Sequence, residues 1–129
     1  MRKLAVIGAS WGGLHALGRL LAGLDSRCSL AVVIAQHRAV DSPDQVMRRF
    51  FESRCPLPVA EISDKDDIEP GHVYIAPADY HTFVEPGHFA LSIDAPVLFS
   101  RPSIDVLFES AADSYGSELV AVVLTGAND

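Results

Sequence analysis

The sequence has no apolar run approaching the roughly 18–20 residues that a membrane-spanning helix needs. It also has no Lys/Arg cluster. Ten Lys and Arg stand against seventeen Asp and Glu, for a net charge of −7 and an isoelectric point near 5.0. That balance argues against binding a phosphate backbone, so no nucleic-acid partner is expected. Cysteine is scarce: Cys28 and Cys55 stand alone, with no C-x-x-C and no histidine at metal-ligand spacing. Two buried thiols in a reducing compartment are expected, with no disulfide framework. There is no internal repeat and no low-complexity tract. The basic start Met1-Arg2-Lys3 leads into an apolar stretch too short for a signal peptide. It reads as the first buried strand of a cytoplasmic protein without membrane insertion.

What is present suits one core. The 129 residues are 49% hydrophobic, enough for a single domain over 1–129. Leu4 to Ile7, Leu30 to Ala35 and Leu119 to Leu124 are continuous apolar runs, the signature of strands buried on both faces of a parallel sheet. Leucines at 14, 17, 20, 21 and 24 form a helical stripe. Ser42-Pro43 reads as the start of a second helix, with Val46, Met47, Phe50 and Phe51 on its apolar face. Ser103 to Tyr115 reads as a third, stopped by Gly116. Between them, Leu57 to Ile62, His72 to Ala76, Tyr80 to Glu85 and Phe89 to Ile93 read as short strands of an antiparallel excursion, interrupted by an acidic loop over Ser63 to Pro70. The expected fold is α/β: a mostly parallel sheet flanked by helices, doubly wound and Rossmann-like, with a small antiparallel excursion.

In such a sheet, sites form outside the carboxyl ends of the strands. The three long runs end in Ser10, in His37 and in the Asn128-Asp129 pair, which together supply the parts of acyl-transfer catalysis. Gly8-Ala9-Ser10-Trp11-Gly12 matches G-x-S-x-G, a tight strand-to-helix turn that exposes a serine oxygen beside the helix N-terminus. A serine hydroxyl needs a base, and His37 is the natural one, with His81 as its competitor. His15 is expected to be an exposed helical residue, and His72 and His88 to be solvated beside turns. Asp64, Asp66, Asp67 and Glu69 fit a solvated loop, since the glycine-centred spacing of a calcium loop is absent. A dinucleotide-binding turn is the competing reading, although the middle glycine of G-x-G-x-x-G is missing and Gln36-His37 replaces the acid for a ribose hydroxyl.

Five blocks in order extend this reading: Ile7 to Gly13, Gln36-His37, Gly71 to Pro77, Arg101 to Phe108 and Leu124-Thr125-Gly126. Together the chain resembles the CheB-type protein-glutamate methylesterase domain. The resemblance implies hydrolysis of glutamate γ-methyl esters on the cytoplasmic helices of chemoreceptors in chemotaxis-type signalling, often with glutamine deamidation, and no metal or cofactor. It implies Ser10 as nucleophile, His37 as base, the backbone N–H of Trp11 and the position of Ala127 as oxyanion donors, and His81 near the site. Three departures bear on it. The residue after the nucleophile is usually small in this family, and here it is Trp11. The catalytic aspartate of T-G-x-x-x-D-G would fall one place beyond Asp129. The family domain continues for some tens of residues further, so the chain is expected to lack its C-terminal part, and no receiver domain precedes the first strand. A non-catalytic signalling module on the same scaffold is the alternative these departures leave open.

Overall fold

The computed structural model describes residues 2–10, 13–36, 44–93 and 103–124; the side chains of residues 44–46 are outside the description. Strands β1 (Leu4–Ala9), β2 (Ala31–Gln36), β3 (Val59–Glu61), β4 (Val73–Ile75) and β7 (Leu119–Leu124) form one parallel sheet in the order β3-β4-β2-β1-β7. β5 (His81–Glu85) and β6 (His88–Ser92) form a separate antiparallel hairpin. The helices are α1 (Leu14–Ala22), α2 (Asp44–Glu52) and α3 (Ile104–Tyr115).

Both faces of the sheet are covered, which is why β1 and β2 are apolar up to the terminal Gln36 of β2. Leu4, Val6, Val33, Ala35 and Tyr74 pack with Leu107 and Ala111 of α3 and with Val84 and Phe89 of the hairpin. Ala5, Ile7, Ala9, Val32, Ile34 and Ile75 face the other way, onto Leu17 and Leu21 of α1 and Phe51 of α2. Each valine, leucine, isoleucine or phenylalanine among them contributes roughly 1.5–3 kcal/mol on full burial. The leucine stripe of α1 therefore works as its period dictates.

Two expectations change. The first two middle strands are not part of an antiparallel excursion. β3 and β4 pair in parallel with each other, and β4 pairs in parallel with β2. Only the hairpin is antiparallel. Segments of three residues carry no periodicity from which direction could be read. Direction is set instead by the turn-rich link over residues 62–72, which returns the chain to the same end of the sheet. Second, β7 is not buried on both faces. Val120, Val122 and Leu124 pack on the α1/α2 side, while Val123 is 62% exposed. Among the described residues no strand lies beyond it.

The hairpin is fastened to α3 by serines. Ser110 Oγ accepts from Val84 N–H at 2.9 Å, and Ser114 Oγ donates to the Val84 carbonyl at 2.8 Å. α3 thus satisfies backbone groups that a third strand would otherwise take.

Candidate active site

The nucleophile candidate is fixed by its backbone. Ser10 follows the last residue of β1, and its N–H extends the ladder to the Leu124 carbonyl at 3.1 Å. Its own carbonyl accepts from Gly13 N–H at 2.9 Å, closing the turn into α1. Gly13 favours close approach: a Cβ there would lie a tight 3.1 Å from the Leu124 carbonyl oxygen. The ends of β1 and β7 and the start of α1 therefore meet at one point. α1 departs on one face of the sheet and α3 occupies the other, so this junction is a topological switch point, the place where ligands bind in open sheets of this kind.

The pleat indicates which face Ser10 serves. Leu4 and Val6 point toward α3 and the hairpin, and Gly8 continues that row, since a Cβ on it would lie 2.6 Å from Ile104 Cγ2. Ser10 is the next member of the same alternation. The neighbouring strand ends level with it: Ala9 is the register partner of Gln36, the last residue of β2. His37, Trp11 and Ala127 lie outside the described residues, as do Ser42-Pro43, Arg101 and the Asn128-Asp129 pair.

His81 is where sequence reasoning placed a histidine but could not foresee its burial. It is 2% exposed at the start of β5. Its Nδ1 accepts a long hydrogen bond, 3.3 Å, from the backbone N–H of Ser103, the N-cap of α3. With Nδ1 accepting, a neutral ring carries its hydrogen on Nε2 and acts there as a donor. The next residue of α3, Ile104, is the one seated on Gly8, which connects His81 to the Ser10 strand by two consecutive contacts.

The remaining histidines divide. His15 is exposed on α1. His72 and His88 are only partly solvated: His88 Nε2 lies 2.7 Å from Glu85 and His72 Nε2 3.7 Å from Glu69. The thiols of Cys28 and Cys55 are half-buried rather than fully buried. Among the described residues no group of His, Cys, Asp or Glu could hold a metal ion, and no helix is long and apolar enough to cross a membrane. Sequence reasoning missed a groove of about 370 Å³ beside the carboxyl ends of β3 and β4, lined in part by Glu61, Pro77, Tyr80 and Leu91. Its one visible signal was Tyr80, an aromatic residue between two turn residues and a strand, which is 41% exposed.

A family profile described as CheB methylesterase matches residues 5–129. The chain belongs to the CheB methylesterase family. A putative protein-glutamate methylesterase/protein-glutamine glutaminase of Leptospira interrogans is 43% identical over 124 residues, covering 95% of this chain and 64% of that protein. A protein-glutamate methylesterase/protein-glutamine glutaminase of Methanosarcina acetivorans is 37% identical, covering 98% of this chain and 38% of that protein. The chain thus spans a little under two-thirds of the first of these relatives and less of the second. The crystal structure of the Thermotoga maritima CheB methylesterase catalytic domain superposes with a TM-score of 0.88 at 31% identity, covering all of this chain and 70% of that one. The parallel sheet with its flanking helices and small hairpin is the fold of that family.

Proposed function

We propose that residues 1–129 carry the nucleophile and base of a serine methylesterase that acts on glutamate γ-methyl esters of chemoreceptor cytoplasmic helices, in the cytoplasm. The observation that supports this most is the register at the carboxyl end of the sheet. Ser10 directly follows Ala9, His37 directly follows Gln36, and Ala9 and Gln36 are partners on adjacent strands. Ser10 Oγ attacks the ester carbonyl carbon while His37 takes its proton. The tetrahedral oxyanion is held by the N–H groups of Trp11 and Ala127. Ala127 lies three residues beyond Leu124, whose carbonyl already holds the Ser10 N–H. Collapse breaks the bond to the methoxy oxygen, which leaves with the His37 proton as methanol. Water then attacks the acyl group by the same base, releasing the glutamate side chain and restoring Ser10. His81, with Nδ1 occupied, serves this site as a fixed Nε2 donor rather than as the base. No cofactor takes part in this chemistry.

The test is Ser10→Ala, with methanol release followed from a methylated receptor. The loss expected is about 10⁴-fold or more, together with loss of labelling by a fluorophosphonate. Methanol release at the parental rate would remove Ser10 from the mechanism. A parent that the fluorophosphonate leaves unlabelled would favour a non-catalytic signalling module on this scaffold.

A further inference from the structure

Some exposed cations in this acidic chain stand beside an acid. Arg27 pairs with Asp25 at 3.3 Å, Arg48 with Glu52 at 3.8 Å and Lys3 with Glu118 at 3.4 Å. The groove between α1 and α2, of about 440 Å³, holds two arginines, Arg19 and Arg54, that make no ion pair among the described residues. It is lined by His15, Gly18, Arg19, Ala22, Phe50 and Arg54, with no acidic residue among the described ones. His15, Gly18, Arg19 and Ala22 fall three and four apart, so they share one face of α1. Gly18 and Ala22 leave a low floor between the longer side chains.

Arg54 is already oriented. Its guanidinium carbon lies 3.8 Å from the centre of the Phe50 ring, and Nη1 donates to the Phe50 carbonyl and to Ser53 Oγ, each at 3.0 Å. Gly18 permits this closeness, since a Cβ there would meet Phe50 Cε2 at 3.3 Å and Arg54 Cδ at 3.6 Å. The side chains of His15 and Arg19 make no hydrogen bond or ion pair among the described residues. Two arginines thus border one open trough with no acidic side chain among its described lining, in a chain whose net charge is −7. Such an arrangement repels itself until an anion enters.

We propose that the α1–α2 groove docks a short acidic peptide segment of a partner protein, with carboxylates received by Arg19 and Arg54. A nine-residue helix is roughly 13 Å long, which matches about four residues of extended chain. The open trough suits a peptide laid along it better than an enclosed small molecule. The planar fork of Arg54, held against Phe50, is pre-organised for a carboxylate. The site is distinct from the Ser10 crevice and does not depend on ester hydrolysis.

The experiment is fluorescence anisotropy of fluorescein-labelled hexaglutamate titrated with the full chain. Saturable binding that weakens as salt is raised is expected. Arg19→Glu should weaken it about 5-fold or more, and the pair Arg19→Glu/Arg54→Glu should abolish it. Arg54→Lys should weaken it several-fold, because lysine has no planar fork to lie against Phe50. Arg27→Glu makes the same change in net charge outside the groove and should leave binding unchanged. Arg19 is exposed, so its variant tests the site without endangering the fold. The proposal is overturned by absence of binding, by equal weakening in Arg27→Glu, or by binding indifferent to Arg19→Glu. Self-association of the parent in sedimentation velocity that Arg19→Glu dissolves would assign the groove to a second copy and overturn it too.

Discussion

Gly8→Ala is the most informative single substitution outside the proposed nucleophile. The added Cβ would lie 2.6 Å from Ile104 Cγ2, 3.1 Å from Cδ1 and 3.2 Å from Cγ1. Carbon atoms rest at about 3.5–4.0 Å, so the first contact is short by about 1 Å. Ile104 cannot easily yield, because a β-branched side chain in a helix has essentially one χ1 well. Relief must come from moving the first turn of α3 off the sheet. That motion stretches the bond from Ser103 N–H to His81 Nδ1, already 3.3 Å, and the cap from Val106 N–H to Ser103 Oγ, also 3.3 Å.

Overpacking of this kind costs roughly 1–3 kcal/mol, offset by about 0.4–1 kcal/mol because alanine restricts the unfolded chain. A net loss of about 1–2 kcal/mol corresponds to a fall in Tm of roughly 4–8 °C for a chain of this length. The check is a double-mutant cycle with Ile104→Ala, read by urea denaturation. Removing the isoleucine branch should make the pair less damaging than the sum of the singles by about 1 kcal/mol. Additive singles, or a Gly8→Ala protein as stable as its parent, would refute the claim that Ile104 is wedged on β1.

The other predictions concern the same wall and the opposite end of the pH scale. Ser103→Ala removes the cap on α3 and should cost about 1 kcal/mol in denaturant titration, whereas Ser103→Asp should retain most of it. Burial pushes the Cys55 thiol above its ordinary 9.0, and nearby Cys28 adds to the effect. Burial likewise raises the Tyr74 phenol above 10.0, with Glu69, Asp66 and Asp67 adding to it. Both groups are therefore held neutral in the fold, and the unfolded chain ionises first as pH rises. Their stabilising contribution should be complete below about pH 9 and decline above it. Cys55→Ala should postpone the onset toward pH 10, and a denaturation midpoint that rises between pH 9 and 10.5 would contradict this.

Much of this architecture was legible because two signals coincide at β1 and β2. An apolar run without alternation marks a strand covered on both faces, and a polar or glycine residue marks its end. Ser10 and α1 follow from that alone. The same reasoning overreached at β7, where six apolar residues in a row suggested full burial and Val123 proved exposed. Composition reports what a strand tolerates on each face, not whether a layer lies there. At β3 and β4 the signal was too short to carry direction. His81 shows a third limit. Its sequence neighbours, Tyr80 and Thr82, are 41% and 1% exposed, so local polarity does not reveal a buried imidazole. Its burial is decided by Ser103, twenty-two positions away, and by the helix that residue caps.

The placement of Ser10 is a property of the backbone before it is one of side chains. If Ser10 is the nucleophile proposed above, its oxygen must be held to within about half an ångström of its productive position. Here the constraint is applied from three directions: β7 grips the Ser10 N–H, Gly13 closes on its carbonyl, and Ile104 bears on Gly8 two residues earlier. Each of these depends on a missing side chain or on a main-chain group. Substituting surface residues of the crevice should therefore alter which ester is accepted without moving the serine. Adding even one methyl at position 8 or 13 should move the serine without touching substrate. The two classes are separable by kinetics, the first changing KM against an unchanged rate of fluorophosphonate labelling, the second slowing labelling and hydrolysis together.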